Sequence, residues 1–370
     1  MTATADRVIR CAHQVITHLD ADRHLEHDTS RSITTGRQAS GKVSLPTADT
    51  PKPGRVSAEE AEEALRAAVS FYQDQLAHDD QARAFLKERG VNDESVGRWQ
   101  LGYAPASWDR LVKALRSERV SDGILLEVGL AGRGRTGRLY DRMRGRIVFP
   151  IHDAQGSPSG FAGRLITGDG PKYLNSPETL LYKKSLLLYG LHLAQPSIAE
   201  HQQAVIVEGY TDAIAAHQVG ITHTVATGGT ALTNHQLESI RSIAPTIILA
   251  FDGDQAGQQA AERVADLPMT TLQRLHVQLA HLPAGTDPAG LIAEGRADDF
   301  QAALTNPTPL LHHLIEQTLD QYDLNEIEAT ARALHAASPL IEHLTGPTER
   351  STVVRWLARR LDRQEDHIEQ

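Results

Sequence analysis

Residues 204–212 read AVIVEGYTD, and residues 246–254 read TIILAFDGD. Each begins as an unbroken apolar run rich in Val and Ile, the composition of a strand buried on both faces. Each ends in acids: Glu208 followed by Gly209 in the first, Asp252-Gly253-Asp254 in the second. Around them the pattern alternates. TDAIAAHQVG (211–220) reads as a helix closing at Gly220, THTVAT (222–227) as a strand, and Thr233 to Ile243 as a helix. QAGQQAAERVADL (255–267) reads as another helix and LHVQLAHL (275–282) as another strand. This alternation predicts parallel βαβ units. The C-terminal ends of parallel strands line the ligand crevice, so Glu208, Asp252 and Asp254 are expected to meet there. If strand geometry persists through DGD, its two aspartates share one face.

Carboxylates held a few ångströms apart repel, and a divalent cation resolves the conflict. Ligands that are all oxygen favour Mg²⁺ or Mn²⁺ over zinc. Mg²⁺ commonly takes one or two carboxylates together with substrate phosphates, which points to phosphoryl transfer. Two more acids extend the set: Asp212, four residues beyond Glu208, and Asp287 in HLPAGTDPAGL (281–291). Taken singly, DGD reads as a turn and Asp212 as a helix N-terminal acid favoured by the helix dipole. The ordered series EG, DGD and LPxGxDP is much harder to obtain by chance.

Upstream, charge is unevenly spread. Arg133 to Lys184 holds ten Lys/Arg against four acids, net +6, on a chain of net −10, so the remainder carries −16. A basic track beside an acidic centre suits a polyanion substrate and a metal site; chance asymmetry in a solvated loop is the plainer reading. RIVFPIHD (146–153) and GSPSGFAGRLI (156–166) read as strands. Ser57 and Glu60 fit a capping box, after which Ala61, Leu65, Val69, Tyr72 and Leu76 form one apolar helix face. A second helix closes near Gly90. Residues 1–26 suit a helix. Residues 27–56, rich in Ser, Thr, Gly and Pro without an aromatic residue, suit a flexible linker. From residue 308 three helical runs follow, about 308–321, 325–344 and 347–363. No stretch of 18 apolar residues predicts a membrane span. One cysteine, Cys11, excludes an intramolecular disulfide framework and makes a cytoplasmic location the default expectation.

The acidic series matches the toprim domain shared by DnaG-type primases, topoisomerases and some nucleases. The rest of the chain resembles the RNA-polymerase core of bacterial DnaG-type primases in order and spacing over about residues 57–365. The carriers are LGYAP (101–105) with Trp108, GRLYDRMRGRIVFPIHD (137–153), PKYLNSPET (171–179), YKKSLLLYGL (182–191), VEGYTDAIAAHQVGI (207–221), ATGGTALT (226–233), FDGDQAG (251–257) and LPAGTDP (282–288). PKYLNSPET and YDRxRxRIxFPI are the most specific of these. The resemblance implies an α/β fold: a toprim-type parallel βαβ sheet (200–305), preceded by a mixed α+β basic subdomain (57–199) and followed by a C-terminal helical subdomain (306–370). It implies synthesis of short RNA primers on a single-stranded DNA template from ribonucleoside triphosphates, with Mg²⁺ or Mn²⁺ as cofactor. Glu208, Asp252 and Asp254 would bind catalytic metal, with Asp212 and Asp287 contributing. Arg142, Arg144, Arg146, Arg164, Lys172 and Lys184 would line the nucleotide and nucleic-acid groove, with Lys183 the alternative to Lys184; spacing to the neighbouring YGL favours Lys184. Tyr173 and Asn175 are candidate supports.

The sequence departs from the family in four places. One thiol cannot build the family's zinc ribbon, so residues 1–56 are expected to lack it and no zinc is expected. The helicase-binding helical domain is expected to be missing, with a separate protein supplying template recognition or helicase contact. Ala289 stands where the family usually has a second acid after the DP pair. TGG precedes Thr230 where a bulkier residue is common. A primase-derived binding module without catalysis, or another toprim enzyme such as a nuclease, are the competing readings.

Overall fold

The computed structural model describes residues 56–363 apart from 230, 266, 268–273, 343 and 345. The helix and linker expected over residues 1–56, with Cys11, lie outside the described residues except for Val56. Val56–Leu310 forms one compact unit, and Leu311 onward belongs to a second.

The first unit opens with the expected capping box. The Ser57 hydroxyl accepts from the Glu60 amide at 3.2 Å, and the Glu60 carboxylate accepts from the Ser57 amide at 2.9 Å. These bonds satisfy two groups that a helix start leaves unpaired. The helix Ala58–Ala77 buries the predicted stripe, Ala61, Leu65, Val69, Tyr72 and Leu76. It packs on a sheet of four antiparallel strands in the order β1 (Gly102–Ala104), β4 (Arg146–His152), β5 (Pro158–Leu165) and β6 (Tyr173–Asn175). Helix and sheet approach closely at Gly102, where a Cβ atom would lie 2.5 Å from Cβ of Tyr72. A two-stranded hairpin, β2 (Ala131–Arg133) with β3 (Leu139–Asp141), stands beside the sheet in sequence.

The second sheet has the order β11 (Thr308–Pro309), β10 (His276–Leu279), β9 (Thr246–Leu249), β7 (Gln203–Val207) and β8 (Thr224–Ala226). All pairings are parallel except that of β11 with β10, as the alternating sequence pattern predicts. One apolar cluster runs through both sheets, joining Phe149 and Ile151 of β4 to Val205 and Val207 of β7 and Ile248 of β9. The acidic loops at the strand ends are therefore mounted on a rigid base.

Strand geometry does not persist through DGD. Strand β9 ends at Leu249, so Asp252, Gly253 and Asp254 lie on the loop beyond it. The loop is instead stitched to LPAGTDP: the Gly253 amide donates to the Thr286 carbonyl, and the Gly285 amide donates to the Gly253 carbonyl, both at 2.8 Å. Glycine is required at 253, where a Cβ would sit 2.3 Å from the Pro283 carbonyl oxygen. Backbone pairing thus brings two acidic segments together that the sequence separates by more than 30 residues.

The second unit contains the helices Leu310–Leu319, Ile327–Glu342 and Pro347–Arg360. It has an apolar core of its own, including Ile315, Leu319, Ala333, Ile341, Val353 and Leu357. Trp356 stacks on His312 with ring centres 4.6 Å apart, and Arg360 pairs with Glu316 at 3.0 Å. No described helix is long and apolar enough to cross a membrane.

Candidate active site

Glu208 leaves the end of β7, and its carboxylate accepts from the Asp252 amide at 3.4 Å, bridging the first acidic loop to the second. Partial burial raises the Glu208 carboxyl above its ordinary value, and Asp254 adds to the rise. Asp252 is pushed up to about 7, by burial first and then by Asp212, Glu208, Asp287 and Asp254. Its Oδ1 is buried with no hydrogen-bond partner. Asp212 is pushed up to about 6, by burial and then by Asp287, while backbone amides oppose the rise. Charge on neighbouring acids thus acts on Glu208, Asp212 and Asp252 alike, with Asp254 and Asp287 among its sources.

Their hydrogen-bonding duties differ. Asp212 is buried at 6% exposure and uses both oxygens as acceptors, from the Gly209 amide at 2.9 Å and the Ala289 amide at 3.2 Å. It closes the first turn of the helix Tyr210–Gln218 and ties it to the helix Pro288–Ala293. Asp254 is exposed and accepts from the Gly257 amide at 2.9 Å. Asp287 caps the helix Pro288–Ala293 through the Gly290 amide at 2.6 Å.

A cavity of about 640 Å³ opens against these acids. Glu208, Asp212, Asp252 and Asp287 line one side, while Arg164, Lys172 and Lys184 line it from the first sheet and its loops. Asp254, Arg142, Arg144 and Arg146 are not among the lining residues. Arg89 is, and the sequence reading missed it. Arg89 ends a short helix with its guanidinium over the Phe85 ring at 5.5 Å; the only sequence signal is an aromatic residue four positions earlier.

The cations are held by different means. Arg164 is 7% exposed, donates to the Tyr173 hydroxyl at 2.6 Å, and lies over the rings of Phe85 and Tyr173 at 5.5 and 5.4 Å. Its Nε is buried without a partner. Arg146, 4% exposed, donates to the Gly163 carbonyl at 3.1 Å and faces the Lys172 carbonyl at 3.5 Å, so it braces β4 against β5 and the Lys172 segment. Neither guanidinium has a carboxylate within ion-pair distance among the described residues. Burial lowers the Lys184 ammonium, and an anion beside it would counter that shift. Tyr210, packed on Phe149, places its hydroxyl 3.0 Å from Asn175 Oδ1 and 3.2 Å from the Gly228 carbonyl. It donates to one of them at a time. Asn175 thus supports the cavity floor, while Tyr173 is part of the wall.

A second basic feature lies at the β2–β3 hairpin. Trp108 is 68% exposed, and Arg144 lies over its ring at 4.5 Å and over the Tyr140 ring at 5.4 Å. Arg144 also donates to the Asp141 carbonyl. Asp141, 3% exposed, accepts from the amides of Leu111 and Val112 at 2.8 and 2.9 Å, and its own amide donates to the Trp108 carbonyl at 2.7 Å. It caps the helix Arg110–Ser117 from 30 residues away, because Asp109 makes no side-chain cap. Arg142 is half-buried next to it, with an unpartnered Nε.

Among the described residues, no three acid, His or Cys side chains form a ready-made cage for a metal ion. The mutually raised carboxyls and the orphaned Oδ1 of Asp252 nevertheless fit a hard divalent cation. Such ions complete their shells with water and substrate phosphate rather than with an all-protein cage.

Three family models match the chain: "DNA primase catalytic core, N-terminal domain" over residues 71–195, "Toprim-like" over 205–292, and "DnaB-helicase binding domain of primase" over 311–366. The last overturns the expectation that the helicase-binding domain is missing. Helical periodicity reveals three amphipathic segments but not which core they serve. A DNA primase of Streptomyces coelicolor is 40% identical over 294 residues, which are 76% of this chain and 45% of that protein. The chain thus spans less than half of that relative's length. Among solved structures, the RNA polymerase domain of Mycobacterium tuberculosis primase DnaG, in complex with double-stranded DNA, is 34% identical with a TM-score of 0.74, covering 83% of this chain and 99% of that one. A DnaG primase catalytic domain bound to single-stranded DNA is 32% identical with a TM-score of 0.73, covering 84% and 98%.

Proposed function

The chain belongs to the bacterial DnaG-type primase family, and from that premise we propose that it polymerises ribonucleotides into short RNA primers on single-stranded DNA during replication. The observation that carries this reading is the one cavity in which Glu208, Asp252 and Asp287 face Arg164, Lys172 and Lys184. A binding module needs the cations alone. The crowded carboxylates, costly in isolation, make chemical sense only with a cation and a phosphate between them.

In this reading the incoming triphosphate occupies the cavity with its charge neutralised by Lys184, Lys172 and Arg164. The Tyr173 hydroxyl and the two flanking rings fix the Arg164 fork before substrate arrives, which lowers the entropic cost of binding. Arg89 adds a fourth cation at the wall. Arg146 acts from beneath, holding the Lys172 segment in register. A divalent cation, Mg²⁺ or Mn²⁺, held by Glu208, Asp252 and Asp254 with Asp287 beside them, would supply Lewis-acid stabilisation as a primer 3′-hydroxyl gives up its proton and bonds to the α-phosphorus, the α–β anhydride bond breaks, and pyrophosphate leaves. Asp212, with both oxygens committed to amides, supports the acidic loops from below. Template bases are read by pairing, so the protein needs stacking and phosphate contacts rather than base-edge contacts. Trp108 with Arg144 and Arg142 offers such a surface for the single strand. The unit from Leu311 onward is assigned to docking a DnaB-type helicase.

The test is de novo RNA synthesis on single-stranded templates, comparing wild type with Asp252→Ala and Asp254→Ala in Mg²⁺ and in Mn²⁺. Synthesis by wild type and its loss in both variants, with folding retained, is the expected outcome. Wild-type polymerisation in Asp252→Ala refutes the site. Nucleotide binding by wild type without any incorporation would favour the non-catalytic module instead, and nicking of plasmid DNA in Mn²⁺ a nuclease.

A further inference from the structure

Lys184 reaches the cavity on a loop, residues 183–187, that belongs to no strand or helix. A loop lysine is a poor phosphate ligand unless its backbone is fixed, because ordering must otherwise be supplied at the moment of binding. The fixing comes from an unexpected place, the N-terminus of the helix Asn234–Arg241.

That helix begins with a capping box between Thr233 and Gln236. The Thr233 hydroxyl accepts from the Gln236 amide at 3.2 Å, and Gln236 Oε1 accepts from the Thr233 amide at 3.0 Å. Both side chains have hydrogens left over, and both spend them on the lysine loop. The Thr233 hydroxyl donates to the Ser185 carbonyl at 2.6 Å. Gln236 Nε2 donates to the Leu187 carbonyl at 2.7 Å and faces the Lys184 carbonyl at 3.4 Å. Gln236 is fully buried, at 0% exposure, so its carboxamide has no water to turn to. A Glu at this position would close the capping box equally well but could not donate. The amide therefore does something the cap alone does not require.

We propose that Thr233 and Gln236 form a clasp that positions Lys184 over the triphosphate cavity, making them positioning residues for nucleotide binding. The proposal rests on the reading of Lys184 as a phosphate ligand. The two residues touch no substrate; they act through the backbone carbonyls of Lys184, Ser185 and Leu187. The clasp also ties the nucleotide-facing loop of the first sheet to a helix of the second, so the cationic and acidic sides of the cavity are held at a set separation.

A double-mutant cycle on the full chain tests this, with magnesium–ATP affinity measured by calorimetry for wild type, Lys184→Ala, Gln236→Met, Thr233→Ala and the double variants. Lys184→Ala is expected to weaken ATP binding about tenfold or more. Gln236→Met and Thr233→Ala should each weaken it several-fold in the wild-type background, and less than twofold once Lys184 is already alanine. Thr233→Ser, which keeps the hydroxyl, should bind as wild type does. Circular dichroism and thermal unfolding identify any variant that fails to fold; Thr233→Ala, at a half-buried cap, carries the test if Gln236→Met is lost. Full additivity with Lys184→Ala, or unchanged affinity in folded Gln236→Met and Thr233→Ala, overturns the clasp and leaves the role of Lys184 intact. Unchanged affinity in Lys184→Ala overturns that role and the clasp with it.

Discussion

Replacing Asp252 by Asn should make the metal-free protein more stable. In the folded chain the Asp252 carboxyl is raised from 3.8 to about 7, by burial and by four neighbouring acids. A carboxyl raised in this direction contributes stability that is fully present below its unfolded value, near pH 4, and is lost as pH rises through about 7. At pH 8 the ionised group therefore strains the fold. The rise from 3.8 to about 7 corresponds to about 4 kcal/mol, and partial solvent access to the carboxylate reduces this to about 2 kcal/mol. Asn removes the charge and sacrifices no hydrogen bond at Oδ1, which has none. With about 2–4 °C per kcal/mol for a unit of this size, the expected gain is about 4–8 °C in Tm at pH 8 in EDTA. At pH 4.5, still above the unfolded value of 3.8, the gain should be clearly smaller, and it should vanish only below about pH 4. Added Mg²⁺ should raise the wild-type Tm with a logarithmic dependence on concentration and raise that of the variant much less. Differential scanning calorimetry at the two pH values, with and without metal, reads all of this. An Asp252→Asn protein that melts at or below the wild-type temperature at pH 8 in EDTA would refute the picture of crowded carboxylates awaiting a cation.

Asp141→Asn should destabilise by about 1–3 kcal/mol in urea denaturation, because a buried acceptor pair for the Leu111 and Val112 amides becomes half a pair. It should also blunt the quenching of Trp108 fluorescence by oligo(dT). Arg144→Ala should flatten the salt dependence of single-strand affinity by about one unit of slope, whereas Trp108→Ala should weaken binding by about 1–3 kcal/mol with the slope unchanged; identical slopes in both variants would count against a phosphate contact. His217 is buried neutral and held down at about 4, chiefly by burial. Its ordinary value is 6.5, so its share of stability is full above about pH 6.5 and is lost as pH falls towards about 4. The urea midpoint of His217→Gln should accordingly fall less between pH 6.5 and 4.5 than that of wild type, and an equal or steeper fall contradicts the assignment.

What could be read from the sequence was local or periodic. Ser57 and Glu60 announce a helix start because both partners of the cap lie within four residues, and the stripe from Ala61 to Leu76 repeats at the helical period. The acids were legible because a βαβ sheet delivers successive strand ends to one edge, whatever the loops do. The bend of DGD away from strand geometry was not legible, since it depends on Gly253 pairing with Thr286. The trans cap by Asp141 and the clasp on the Lys184 loop were hidden for the same reason: each joins segments 30 to about 50 residues apart. Arg146 is the most instructive case. Its strand, β4, is buried along its whole length, so no alternation tells which side chains face inward. The family resemblance implied a groove-lining residue, and the basic run around it agreed, yet its guanidinium is sealed at 4% exposure against carbonyls. Charge counted along a chain measures how much positive potential a region carries, not which side chain delivers it. Arg164, which does line the cavity, is buried without a carboxylate partner among the described residues, although burying an unpaired cation is costly. In the proposed function the missing counter-charge arrives from outside, as a substrate phosphate accompanied by the cation that the crowded carboxylates would hold.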